Sequence, residues 1–355
     1  MISPVSMTGF LSLSITVMHY YRASAPLWLF LARFHRGMFM ENTSALSLFV
    51  HLLNGNFLSE KIWRKTDIKA KFLLRSLLMP SITLRYLNNI IKIPAMQKAV
   101  RIRPMLPTKI HRPYLSATLC ATERADAICA HYTFVEQLAN PFLKQALLSL
   151  DDYCLARFSG KNGENFSLIC STSRYDKEGE ATLRIRYNDM VLASLTFSVI
   201  RDQNQPTIMI GGLQGKGSEQ TRELTKDASK ACFGLFPKRL LLECLLTVAA
   251  LTGINRILAV GDENHVYQNL RYSYRKNKVR FSSYSEFWLS VNASKNAQGL
   301  YLLPLTITRK TLEELPSKKR AQYQRRYQLL DDINTQIQHN LGHVASSDTL
   351  HRIAS

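Results

Sequence analysis

The chain has 355 residues, 46% of them hydrophobic and 20% charged, which supplies a buried core in one large or two modest domains and excludes a disordered chain. Its net charge of +20 predicts a polyanionic partner, whether nucleic acid, anionic phospholipid headgroups, a nucleotide-bearing cofactor or a phosphorylated glycolipid. Cys120, Cys129, Cys154, Cys170, Cys232 and Cys244 form no C-x-x-C pair, so unpaired core thiols in a reducing cytoplasm fit better than a metal site.

In chain order, residues 5–21 and 25–32 are apolar runs, and neither reaches the roughly 20 residues that span a bilayer. Basic residues follow the first run instead of preceding it, which is the wrong order for a signal peptide. Residues 1–39 are therefore read as an extension upstream of a natural start at Met38 or Met40. The alternative is an interfacial anchor with Trp28 and Tyr20 at headgroup depth.

Residues 40–149 form a basic helical region. Between 59 and 112 only Glu60 and Asp67 oppose a run of lysines and arginines, and Leu73, Leu74, Leu77 and Leu78 recur at helical spacing. Such a segment either lies on an anionic membrane or is a core helix with a solvated basic face. Pro104, Pro107 and Pro113 mark a stiff connector, and 118–148 is helical again, with His131 packed inside it.

At residue 152 the period changes from 3.6 to 2. A strand at 166–170 leads to a polar turn at 173–180 around Gly179. Leu183, Ile185 and Tyr187 then run into an Asn188-Asp189 hairpin. The return strand sets Ala193, Leu195, Phe197 and Val199 against Ser194, Thr196 and Ser198, which predicts one buried and one polar face. A further strand at 207–210 is closed by Gly211-Gly212. Ser218 is placed to cap a helix running to about Ala231. Pro237 starts a second helix with Gly253 at its left-handed end, and 256–260 is a buried strand. Strand, helix, strand in that order implies a right-handed parallel crossover. An aromatic helix at 284–291, a last strand at 302–305, a basic helix at 318–327 and a polar tail after His339 complete the chain. The fold class is α+β, a helical N-terminal region with a mostly antiparallel sheet and one β-α-β crossover. A mixed α/β domain is expected at 150–310 and a basic helix and tail at 311–355.

Three groups of residues carry candidate chemistry. Gln214, Gly215, Lys216 and Gly217 follow a strand and precede a helix, where backbone N–H groups and one ammonium suit a phosphate; the alternative is a glycine-rich turn. His265 follows the buried strand as a candidate general base, oriented by Glu263 or Asp262; the alternative is a helix cap at Asp262. Arg271 and Arg275 interleave with tyrosines and suit an anionic acceptor. No nucleic-acid module accompanies them, so nucleic acid ranks last among partners. Neither H-E-x-x-H nor G-x-S-x-G occurs.

The motifs Ile210-Gly211-Gly212-Leu213-Gln214-Gly215, Cys232-Phe233-Gly234-Leu235-Phe236-Pro237-Lys238 and Ile257-Leu258-Ala259-Val260 with His265 resemble the VirK/YbjX family. So do Tyr284, Glu286, Phe287, Trp288, Leu303-Pro304 and the stretch from Lys319 to Asp331. The resemblance covers about residues 40–332. It implies a Gram-negative virulence factor acting on the cell envelope, in resistance to cationic antimicrobial peptides or in placing an outer-membrane surface protein. It establishes no reaction. The strand–Gln-Gly-Lys-Gly–helix–strand order also resembles the GNAT acyltransferase fold, where a bulged strand leads into a Gln/Arg-x-x-Gly-x-Gly/Ala loop that binds the pyrophosphate of acyl-CoA. Here Glu219 stands at the last small position, and an extra helix follows the loop. The expected function is an acyl- or aminoacyl-transferase using acyl-CoA or another acyl donor on an envelope lipid precursor, cytoplasmic and peripheral at the inner membrane. The alternative is a non-enzymatic adaptor or chaperone-like factor for an outer-membrane virulence protein.

Overall fold

Prolines punctuate the helical half of the chain in a computed structural model that describes residues 43–55, 61–215, 219–268 and 284–342. Helix α1 (Ala45–Asn54) is capped by Ser44, whose hydroxyl accepts from the Ser47 N–H at 3.1 Å, and Gly55 ends it at φ 76°. Helix α2 (Thr66–Leu78) then gives way to α3 (Pro80–Lys92) and α4 (Pro94–Ile102), each opened by a proline whose missing N–H the first turn does not use. The expected connector is a fully buried 3-10 turn, Leu106–His111. Helices α5 (Ala121–Gln137) and α6 (Pro141–Leu147) complete this region.

The sheet begins as a five-stranded antiparallel meander of β1 (Tyr153–Ser159), β2 (Asn165–Thr172), β3 (Ala181–Tyr187), β4 (Met190–Asp202) and β5 (Gln205–Gly215). Asn188 and Asp189 both take positive φ, as the two-residue hairpin requires, and Gln203 and Asn204 repeat the device between β4 and β5. Helices α7 (Glu219–Ala231) and α8 (Pro237–Leu251) cross over to β6 (Ile257–Ala259), which pairs parallel to β5. After α9 (Tyr284–Ser290), the short strands β7 (Ser294–Lys295) and β8 (Tyr301–Leu302) extend the sheet to the order β1-β2-β3-β4-β5-β6-β8-β7. The architecture is mixed α and β with one parallel crossover. Helix α10 (Ser317–Gly342) runs well past the basic stretch that marked it in the sequence, and Leu341 near its end is buried.

Two expectations change. The strand expected to stop at Gly211-Gly212 continues through both glycines to Gly215. The face of β4 expected to meet water is covered: Leu192 to Val199 are all buried. Helix α5 packs on β4, and two hydroxyls of the covered face are bonded inside the core. Thr196 bonds Thr182 at 3.2 Å, and Ser198 bonds the Tyr114 hydroxyl at 2.7 Å. One apolar core runs from Leu48 in α1 to Leu341 in α10, joining helical region and sheet.

The open edge of the sheet at β1 is closed by α10. Gln336 accepts from the Arg157 backbone N–H at 2.9 Å, and Asn340 donates to the Leu155 carbonyl at 2.9 Å. Among the described residues no helix is long and apolar enough to cross a membrane.

Candidate functional site

The parallel strands β5 and β6 stay paired only as far as Ile210 and Ala259. The Val260 N–H makes one more bond, to the Ile210 carbonyl, before the chain turns away at Gly261. Strand β5 continues alone beside β4, and there its register slips: Thr196 faces Gly212 and Phe197 faces Ile210, leaving Gly211 as the extra residue of a β-bulge. A crevice at the carboxyl ends of diverging parallel strands is where α/β folds gather ligands.

The bulge depends on glycine. A side chain at Gly211 would collide with the Glu178 carbonyl, and one at Gly212 with the Glu178 carboxylate. Bare backbone lets the segment 176–180 lie directly on β5 and delivers Glu178 into the crevice. Its Oε1 accepts from the Gln214 amide, and His265 Nε2 stands 3.5 Å from the same oxygen. Glu178 Oε2 is buried without a hydrogen-bond partner among the described residues, which points to a site made to receive a polar group. Tyr267 and Tyr284 flank His265, each ring centroid 5.2 Å from the imidazole. The Tyr267 backbone N–H points at His265 Nδ1 from 3.4 Å, and Nε2 faces Glu178. Burial pushes the Tyr284 phenol up, so it stays a neutral hydroxyl.

The other candidate residues separate. Glu263 is half exposed, and its carboxylate is held by Lys295, whose ammonium keeps it below the usual carboxylate range. Asp262 is a cap, but of α9: its two oxygens accept from the Tyr284 and Ser285 N–H groups at 2.8 and 3.2 Å. The carboxylate brought to His265 is thus Glu178, 87 positions earlier in the chain. Lys216, Gly217, Arg271 and Arg275 lie outside the described residues.

Gly215, next to Gln214, lines a cavity of about 480 Å³ together with Leu192, Ala193, Lys238, Phe287 and Val291. Its apolar wall meets the first turn of α8, where Pro237, Lys238 and Arg239 sit and the backbone N–H groups have no helical partners. Burial pushes the Lys238 ammonium pKa down, and Asp262 partly opposes that shift. An apolar chamber with cations at one end suits a ligand with a hydrocarbon body and an anionic head. Among the described residues no group of three or more His, Cys, Asp or Glu could hold a metal ion.

A second polar cluster joins the helical region to the sheet two residues from Glu178. Glu180 is fully buried and receives Arg103 at 2.6 Å, Lys109 at 2.5 Å and the Tyr132 hydroxyl at 2.7 Å. Arg103 also holds Asp176. Burial alone would raise the Glu180 carboxyl, but Lys109 and Arg103 outweigh it and hold the group far below the usual range. His131, packed as expected, accepts from the Val199 N–H at 3.2 Å. Neither glutamate stood out in the sequence, where 173–180 reads as a polar turn. One signal was present: acidic residues recur at Asp176, Glu178 and Glu180 in an otherwise basic chain, and Gly179 between the two glutamates stands where a Cβ would lie 2.5 Å from the Phe197 carbonyl oxygen.

The chain matches a family described as proteins of unknown function, DUF535, over residues 61–339. It is 38% identical over 299 residues to the uncharacterized protein YbjX of Escherichia coli (strain K12), an overlap of 84% of this chain and 90% of that one. Two uncharacterized proteins of Haemophilus influenzae are 28% identical over 238 residues and 30% identical over 220, covering 64% and 61% of this chain and 74% and 71% of theirs. No solved structure matches the chain.

Proposed function

The chain belongs to the DUF535 family, the family of YbjX, and from that premise we propose that it is an acyl- or aminoacyl-transferase acting on a lipid or other envelope precursor at the cytoplasmic face of the cell envelope. The observation that carries this reading is the bulge at Gly211. It lies where β5 and β6 cease to pair, beside Glu178 and His265, and β5 runs on from it to Gln214, Gly215 and the adjoining cavity. A bulged strand, a glycine loop and a helical crossover to a parallel strand are the features this chain has in common with GNAT acyltransferases. It departs from them at Glu219 and in having α7 as well as α8 between loop and strand.

In this reading the donor's hydrocarbon lies among Leu192, Phe287 and Val291. Its anionic end meets Gln214, Gly215, Lys216, Gly217 and the first turn of α8. Arg271 and Arg275 hold an anionic acceptor. The acceptor's amine or hydroxyl attacks the donor carbonyl, and its proton passes to Glu178 Oε2, the oxygen without a partner among the described residues, while Gln214 holds Oε1 and His265 stands beside it. The new C–N or C–O bond forms as the donor's thiol or other carrier leaves.

Thermal unfolding of the full chain with coenzyme A, long-chain acyl-CoA and acyl carrier protein donors tests the proposal. A ligand at 100 times its dissociation constant adds about 2.7 kcal/mol of stability, a shift of several degrees. The shift is expected with an acyl donor, lost in Lys238→Glu and kept in Glu178→Gln, which blocks turnover alone. No shift with any donor rejects the transferase.

One observation favours the adaptor reading: the leucines of α2 face outward. If the protein acts only as an adaptor, charge reversal at Lys61, Arg64 and Lys65 will abolish its effect in the cell and Glu178→Gln will not.

A further inference from the structure

Helix α2 has two apolar sides. Phe72 and Ser76 face inward, and Phe72 packs against Trp63, Phe49 and His111 with ring centroids 5.3 to 5.4 Å apart. That contact already supplies the helix with its place in the core. Leu74, Leu77 and Leu78 point the other way, with 63%, 66% and 75% of their surface exposed, and Leu73 is 37% exposed beside them. Positions i, i+1, i+4 and i+5 are neighbours on one helix face, so the four leucines form a single patch. Pro80 starts α3 immediately afterwards, which sets the patch at a corner of the fold, and Leu84 of α3 is also turned outward.

An uncovered patch of this size costs solubility unless something receives it. Its surroundings say what does. Lys61, Arg64, Lys65 and Lys71 are exposed around the start of α2, and Asp67 is the one acidic residue between positions 61 and 78, itself bonded to Lys71 at 2.9 Å. Leucines at one end of an exposed helix face and a cluster of ammonium and guanidinium groups at the other match the two layers of an anionic bilayer: acyl chains, and phosphate-bearing headgroups. A protein groove would match the leucines but has no general need for the cations, and the same cations would repel a second copy of this basic surface.

We propose that α2 docks the protein on an anionic lipid surface, with Leu74, Leu77 and Leu78 entering the acyl boundary and Lys61, Arg64 and Lys65 lying against the headgroups. The inference does not rest on the transferase reading and stands or falls separately from it.

Flotation of the full chain with vesicles of phosphatidylethanolamine and phosphatidylglycerol, and with vesicles of phosphatidylcholine alone, is the test. Binding is expected to the first and to weaken as salt is raised. Each lysine lost near the surface lowers affinity about fivefold, so the double variant Lys61→Glu, Lys65→Glu falls by more than tenfold. Leu74→Ser with Leu78→Ser falls by more than tenfold. Both pairs are exposed, so each variant unfolds at the temperature of the parent. Equal binding to phosphatidylcholine, or full binding by both variants, overturns the proposal. So does a self-association of the parent that the leucine variant removes, because the occupant is then a second copy of the chain.

Discussion

Glu178 and Glu180 stand two residues apart on the turn that leads into β3, and their surroundings are opposite. Glu180 is enclosed by an arginine, a lysine and a tyrosine, and each of its oxygens has a donor. Glu178 is as deeply buried, yet only an amide and an imidazole approach one oxygen, and the other has no partner among the described residues. A buried carboxylate that is fully paired fastens two layers together and has no valence left for a ligand. A buried carboxylate left half satisfied is costly unless a substrate completes it, which is the signature expected of a working site. Gly179 makes the contrast possible, because with no side chain of its own it lets the segment lie on β4 and β5 while its two neighbours turn to different environments.

That contrast can be broken from either side. The largest effect is expected for Glu180→Gln, which leaves the buried Arg103 and Lys109 with only the half-exposed Asp176 as counter-charge and costs about 3–5 kcal/mol in urea unfolding. A loss under about 1 kcal/mol would erase the distinction between the two glutamates. Gly211→Ala drives a methyl into the Glu178 carbonyl and is expected to cost about 1–3 kcal/mol, because backbone is slower to give way than a side chain. Crystals of that variant should show segment 176–180 lifted from β5.

Acid sharpens the comparison. Burial pushes both His131 and His111 down to about 4, whereas the unfolded chain protonates them near 6.5. The unfolded state therefore binds protons that the folded state refuses, and stability falls as pH drops from about 6.5 to about 4. Each histidine contributes about 1.4 kcal/mol per pH unit inside that window. Glu180, whose folded pKa is depressed, keeps its contribution above about pH 4.3 and loses it only below. Urea midpoints that stay flat between pH 6.5 and 4 would contradict this, and His131→Gln should roughly halve the slope. The smallest change in stability, within about 1 kcal/mol, is expected for Glu178→Gln, since removing a half-paired buried charge relieves about as much as it loses. If the proposed transferase reading holds, activity disappears in that variant while the urea midpoint stays in place.

Local chemistry made much of the fold readable. Pro237 and Gly253 bracket α8, Asn188-Asp189 makes its hairpin, and the apolar residues 257–259 form the parallel strand. What escaped depended on distant partners. Gly211-Gly212 reads as the end of a strand because the reason for the glycines, the Glu178 segment pressed against them, lies 33 residues earlier. Ser194, Thr196 and Ser198 read as a wet face because nothing in β4 announces that α5 will cover it. At the site, His265 and Gln214 were singled out and both approach the same Glu178 oxygen, but that acid was hidden in a stretch whose composition resembles a solvent-exposed turn. The leucines of α2 were left open between a membrane surface and a core, since helical spacing marks an apolar face without saying what receives it; Phe72 faces inward and Leu74, Leu77 and Leu78 face outward.

The sheet's free edge at β1 is sealed by side chains from the last turns of α10, so the order in which the ribosome delivers the chain matters. Residues 153–159 emerge long before Gln336 and Asn340, and until those arrive the nascent protein carries a hydrogen-bonding edge with nothing across from it. A transcript truncated anywhere before α10 yields a polypeptide with most of its core and an adhesive flank, a substrate for chaperones and proteases.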